Sequence, residues 1–337
     1  MSGLNYSALG YRPTIKERVE AFKSIRVGEI KLLLLVDAII ITLGIIPTII
    51  LLILGEGIVA VTVAILILPV PLLIFLAFLG VGYVVTGRVV RVSKFAKENN
   101  MTYRPYSPFD NRPGIVFSNV NSSMFSDLLI ARDRQFTELG NYRFTVGSGR
   151  YRTTYTKGFA RVKLPRRLPH MFLDSRSNSR FSGWLDSTLQ YIKANQKTEL
   201  EGDFGKYFTL YVPRQYEVDA RYVFTPDVMQ AMIEASSNYD CEIIDDDLYI
   251  FSTERVAIDS PKSIEELLAV IDTLKPELIM QTKYYSDERV RSRASNRIAL
   301  KGSRLKNETT TLQALLKVII MIALMATLPL AAWCASR

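Results

Sequence analysis

The densest cluster of metal-compatible groups in the chain is a run of three carboxylates, Asp245-Asp246-Asp247. Adjacent carboxylates suit Mg²⁺ or Ca²⁺. The triplet lies between two short apolar runs, Cys241–Ile244 and Leu248–Phe251, as the solvated turn of a hairpin would, Asp being a favoured turn residue. The turn is therefore the preferred reading, the triplet stays a weak metal candidate, and no cofactor is expected. A single histidine rules out His-pair metal signatures, and two separated cysteines rule out a zinc ribbon or a C-x-x-C redox pair. His170 sits in the apolar stretch Leu168-Pro169-His170-Met171-Phe172, where a hydrogen-bonded structural role is expected before a catalytic one. Gly147-Ser148-Gly149-Arg150 offers backbone amides to a phosphate but lacks the helix and lysine of a P-loop. No catalytic residue is assigned.

The elements that would hold these groups are α+β in order, with mostly antiparallel strands. Phe136–Val146 and Tyr151–Leu164 are rich in aromatic and β-branched residues and are separated by Gly147-Ser148-Gly149, which predicts a hairpin. Upstream, Tyr103–Pro113 is rich in Pro and Asn and reads as a connector. Trp184–Lys197 has a helical period, Lys206–Val212 reads as a strand, and Thr225-Pro226-Asp227 opens a helix. Two capping boxes, Thr14 with Glu17 and Ser263 with Glu266, predict further helix starts. After the first, Ile15, Val19, Phe22 and Ile25 alternate with basic residues. That pattern suits either the headgroup layer or packing on the domain.

Three apolar blocks dominate the rest: Leu32–Leu54 with Asp37 as its one charge, Ile58–Thr86 with none, and Leu315–Trp333 with Lys317 alone. Each is long enough to cross a hydrocarbon core of roughly 30 Å. Lys and Arg gather before the first block, after the second and before the third, while Gly55-Glu56-Gly57 carries none. The positive-inside rule then predicts a multi-pass cell-membrane protein with a cytoplasmic N-terminus and domain and an outward C-terminus. The expected fold class is a membrane protein with three transmembrane helices and a cytoplasmic α+β domain. Its expected divisions are a basic N-terminal segment (1–31), a helical hairpin (32–86), a β-rich basic lobe (87–198), an acidic α+β lobe (199–282), a basic connector (283–311) and a C-terminal span (312–337). Asp37 and the prolines at 47, 69 and 71 leave room for a transport path.

The net charge of +9 is concentrated beside those blocks, which accounts for it without nucleic acid. Arg143–Arg180 holds ten basic residues and one acid, whereas Glu199–Glu277 holds six basic and eighteen acidic residues. Two lobes docking on complementary charge explains the asymmetry; a basic lobe facing anionic lipid is the sharper alternative. Arg88, Arg91, Lys94, Arg166, Arg167, Arg297, Lys301 and Arg304 are the candidate lipid-facing cations. Anionic headgroups, an unknown protein partner and a possible second copy of the chain are the expected partners.

Two stretches carry a resemblance. They are Glu138-Leu139-Gly140-Asn141-Tyr142-Arg143 through Leu164-Pro165-Arg166-Arg167-Leu168-Pro169-His170, and Phe204-Gly205-Lys206-Tyr207-Phe208-Thr209 through Asp247-Leu248-Tyr249-Ile250. Together they resemble a group of uncharacterised bacterial membrane proteins in which paired spans precede a β-rich soluble domain. The resemblance covers Phe136–Ser252 and implies a bacterial inner-membrane location, with no activity or site residues attached. The expected function is binding, as a sensor or scaffold. A membrane-attached enzyme with a carboxylate or metal site, or an accessory subunit of a transporter, is the alternative.

Overall fold

One long strand organises the sheet. The computed structural model describes residues 3–24, isolated positions between 38 and 61, residues 69–290 apart from 109–111, 119–121, 133, 148 and 178–195, and residues 296–305. Its strands are β1 (Thr102–Pro108), β2 (Ser122–Ile130), β3 (Glu138–Val146), β4 (Thr153–Ser175), β5 (Lys197–Thr198), β6 (Phe208–Tyr211) and β7 (Asp240–Phe251). They form one antiparallel sheet in the order β1-β2-β3-β4-β6-β5, with β7 also on β4. The 23 residues of β4 are long enough to pair with β3 at one end, β6 at the other, and β7 along most of the length.

Successive side chains of a strand point to opposite faces, and both faces here are covered. Ala160, Val162, Leu248 and Ile250 meet the helices α3 (Glu217–Val223), α4 (Pro226–Ser236) and α5 (Pro261–Thr282) in one core. Their neighbours Phe159, Tyr249 and Phe251 join Phe125, Tyr142 and Phe144 in an aromatic core on the other face. Phe117 plugs that second core, edge-on to Tyr142 with ring centroids 4.9 Å apart and to Tyr249 at 5.2 Å. Offset and edge-on ring pairs add about 0.5–1.5 kcal/mol each beyond the area buried.

Further along, the facing reverses. Met171 and Leu173 of β4, and Cys241 and Ile243 of β7, lie on the helix side, whereas Phe172 and Ile244 lie on the aromatic side. Along β4 even-numbered residues face the helices before the switch and odd-numbered ones after it; along antiparallel β7 the order is the reverse. The β4–β7 register shifts at Lys163/Leu168 and again at Leu168/Met171, and Asp245 takes φ +55°, the left-handed conformation that a β-bulge uses. The Asp245-Asp246-Asp247 run is therefore the inside of one continuous strand and not the hairpin turn expected from its flanks.

Other local expectations separate in the same way. Thr14 N donates to Glu17 Oε2 at 2.8 Å and Glu17 N to Thr14 Oγ1 at 3.3 Å, so the first capping box forms and opens α1 (Ile15–Ser24). At the second, α5 starts earlier, at Pro261 after Ser260, and Ser263 Oγ instead accepts the Ala257 amide at 3.1 Å. The stretch read as a connector contains β1, whose prolines 105 and 108 are tolerated because it is an edge strand. The helix expected over Trp184–Lys197 lies outside the described residues except at its end, where Lys197 is in β5.

The expectation of three membrane-spanning helices is corrected: among the described residues no helix is long and apolar enough to cross a membrane. The helix carrying the end of the second block, α2, runs from Pro69 to Glu98. Its uncharged start, Pro69–Gly87, continues without a break into Arg88, Arg91, Lys94 and Lys97. Three of those cations, Arg88, Arg91 and Lys94, are folded onto the domain. Arg88 pairs with Asp127 at 2.9 Å and with Asp259 at 3.0 Å, and Lys94 with Glu17 at 2.8 Å. Helix α1 packs across α2, its Arg18 guanidinium 3.7 Å from the Tyr83 ring centroid. The expected multi-pass localisation, with its cytoplasmic and outward sides, loses its basis with the crossing helices. Most of Leu32–Leu54, Asp37 included, and all of Leu315–Trp333 lie outside the described residues.

Candidate functional site

The side chains singled out from the sequence divide between the interior of the sheet and one outer face. Asp247 receives both arms of Arg161, at 2.9 and 2.8 Å, and also Lys163 at 3.0 Å. Asp246 takes Lys163 at 2.9 Å and Asp245 takes Arg304 at 3.2 Å. Asp246 and Asp247 thus share Lys163, while Asp245, at the bulge, turns to Arg304. Among the described residues no group of three His, Cys, Asp or Glu could hold a metal ion. Burial raises the Asp246 carboxyl while the Lys163 ammonium, with Arg167 nearby, lowers it further, leaving it below the usual carboxylate range.

Of the candidate cations, Arg88, Arg91 and Lys94 belong to the α2 anchor, Arg91 reaching Asp259 at 4.0 Å. The other five lie on two stretches, the β4 bulge and the segment 296–305, that are bonded to each other. Arg166 Nε donates to the carbonyl of Lys283 at 3.2 Å, and the Arg167 amide donates to Asn296 Oδ1 at 2.8 Å. Those bonds tie the bulge to the end of α5 and to the segment 296–305. Arg167, Lys283, Arg297, Lys301 and Arg304 are all exposed there, with Arg166 half-buried. Among the described residues Arg167, Lys283, Arg297 and Lys301 make no ion pair, and Arg304 has only Asp245.

The segment 296–305 is held by its backbone. The Ala299 amide donates to Asp287 Oδ2 at 2.9 Å, and the same carboxylate accepts Tyr216 Oη at 2.7 Å and the Arg289 amide at 3.0 Å. Burial raises the Asp287 carboxyl, but these donors outweigh it and leave it below its ordinary value. Gly302 lies flat on Tyr216, where a Cβ would come within 2.2 Å of Cζ. Only a residue without a side chain lets the segment lie this close.

His170 completes the attachment. Its amide donates to the Gly302 carbonyl at 2.9 Å, and its Nδ1 accepts the Leu305 amide at 3.0 Å. Because Leu305 N–H is a donor, Nδ1 is bare, and Nε2 carries the proton toward Glu242 Oε1, 2.7 Å away. Glu242 is fully buried; Oε1 also accepts the Ile115 amide at 2.6 Å, while Oε2 has no hydrogen-bond partner among the described residues. The sequence marked His170 as structural; Glu242, Asp287 and Gly302 carried no local signal, since each acts on residues far along the chain.

No protein-family model matches the chain, and no curated protein matches it. Among solved structures, the crystal structure of the mycobacterial trehalose monomycolate transport factor A, TtfA, aligns with 56% of this chain and 92% of that one at 12% identity and a TM-score of 0.36. Similarity at that level carries neither a fold assignment nor a functional one. The comparisons show no family for this chain, and no activity is established for it.

Proposed function

We propose that this chain is a binding protein whose basic face at the β4 bulge engages anionic headgroups at a membrane surface. The observation that carries this reading is that three separate stretches bearing the exposed Arg167, Lys283, Arg297, Lys301 and Arg304 are bonded to one another at the β4 bulge, with Asp245 as the counter-charge to Arg304. Each cation brought near an anionic bilayer contributes about 1 kcal/mol, so such a face reaches useful affinity without a crossing helix. An enzyme with a carboxylate site is disfavoured because Asp245, Asp246 and Asp247 are each engaged by a cation.

Vesicle flotation with the full-length chain tests this reading. Binding to vesicles containing anionic lipid should exceed binding to neutral vesicles and should fall as salt is added, since exposed charges are screened beyond about 10 Å at moderate ionic strength. Arg166→Glu with Arg167→Glu should weaken it. Competition by inorganic polyphosphate separates a general anion site from a bilayer-specific one. Equal retention on both vesicle types, unchanged by the double substitution, would remove the proposal.

A further inference from the structure

His170 is the joint between the sheet and the segment that carries three of the exposed cations, and its two ring nitrogens play opposite parts. Nε2 donates to a fully buried carboxylate, Glu242, and Nδ1 accepts from the Leu305 backbone. In this arrangement Nδ1 is an acceptor, and the buried Glu242 carboxyl has no cation beside it other than the ring itself among the described residues. A buried charge without a partner is costly. The imidazolium would supply the missing cation, but both its nitrogens are donors. Nδ1–H would then face the Leu305 N–H, and the 3.0 Å bond could not persist. Two incompatible ways of satisfying one site make a bistable element.

We infer that His170 is a proton-operated latch: uptake of a solvent proton at Nδ1 forms an ion pair with Glu242, breaks the Leu305 bond and releases the end of the 296–305 segment from the sheet.

The ionisable groups around the ring are accounted for. Glu242 of β7 is in contact; Asp245 of the same strand is held by Arg304. Beyond Gly302, Asp287 is engaged by Tyr216 and Arg289. Arg166 and Arg167 lie on the ring's own strand and point to other partners or to solvent, and Arg112, on the loop leading to Ile115, is bound to Glu138. Glu242 is therefore the group that a proton on His170 would answer. Release of the segment scatters Arg297, Lys301 and Arg304, so the latch would regulate the basic face; that consequence rests on the anion-binding reading, whereas the latch does not.

Hydrogen exchange of the full-length chain, followed by mass spectrometry and corrected for intrinsic rates, reads the latch directly. Protection of a peptide spanning 299–305 should drop by about tenfold as the pH falls from about 8 to about 5, the range in which histidine changes charge. His170→Gln, which can donate to Glu242 and accept from Leu305 at every pH, should keep the protection and abolish its pH dependence. Glu242→Gln, which removes the counter-charge, should move the transition to lower pH and supports the latch even if the first variant fails to fold. Protection in the unmodified protein that does not vary with pH, or an unchanged profile in either folded variant, would overturn the inference. Loss of protection without loss of binding to anionic vesicles would sustain the latch and count against the basic face.

Discussion

Lys157 Nζ stands 2.8 Å from Asp240 Oδ2 with both side chains fully enclosed, one reaching from β4 and the other from the first position of β7. The pair fastens the two charge-rich stretches of the chain to each other inside one sheet. With Arg161 and Lys163 on Asp247, it shows where much of the charge asymmetry goes: basic β4 is neutralised by acidic β7. Burial holds the Lys157 ammonium below its ordinary value despite the neighbouring carboxylate. Lys157→Ala, which strands the Asp240 charge, should destabilise the domain by about 3–5 kcal/mol, whereas Lys157→Met with Asp240→Leu should cost much less. Urea unfolding followed by circular dichroism separates the two outcomes; equal losses would show that cavity and not charge dominates.

Asn141 closes a two-way bond with the backbone of Val256, its Nδ2 donating to the carbonyl at 3.0 Å and its Oδ1 accepting the amide at 2.7 Å. Both partners are buried, so removal leaves two backbone groups unsatisfied at roughly 1–3 kcal/mol. Asn141→Leu is expected to lower the urea midpoint without changing the slope. A midpoint within error of the unmodified protein would mean that the loop at 256 finds other partners.

Helix α1 is held to α2 by Glu17 and Lys94. The Lys94 ammonium, followed by the Thr14 amide, draws the Glu17 carboxyl down from 4.5 to about 2. A carboxyl lowered on folding contributes stability above its unfolded value, and that contribution fades as the pH drops toward the folded one. Acidification from the ordinary carboxylate range toward about 2 should therefore loosen α1 before the sheet melts, seen as faster exchange in residues 15–24. Lys94→Met should bring the loosening to higher pH; the same profile in both proteins would assign it to another group.

Gly302 lies against Tyr216 with no space for a side chain. Gly302→Val should lift the segment 296–305 from the sheet, weaken binding to anionic vesicles, and leave the thermal transition of the sheet core within a few degrees. Strong binding by this variant would mean that the segment's cations are not needed together.

The aspartate run should not answer to divalent metal. A folded-state ligand raises the unfolding midpoint, so millimolar Mg²⁺ or Ca²⁺ is expected to leave the midpoint unchanged, while Asp247→Ala should lower it by releasing Arg161 and Lys163. A metal-dependent rise in the midpoint would reinstate the carboxylates as a metal site.

What the chain settles locally was legible: the Thr14–Glu17 capping box, the hairpin around Gly147 and Gly149, and the helix opened at Pro226 each depend on residues within a few positions of one another. The stretch Cys241–Phe251 was misread for a physical reason. A bulge at Asp245 reverses which residues face the helix side, and a strand whose apolar parity reverses across three aspartates has the same pattern as two strands and a turn. Apolar length likewise marked the second block as a crossing segment, because hydropathy does not register which contacts a helix makes: the cations that follow the block in α2 pair with Glu17, Asp127 and Asp259. The attachment of the segment 296–305 to the β4 bulge and the bonding of His170 to Glu242 and Leu305 depend on contacts between residues 59 to 135 positions apart. Only the tertiary structure could decide them, since hydrogen bonds and charges act through distance in space and the sequence orders residues only along the chain.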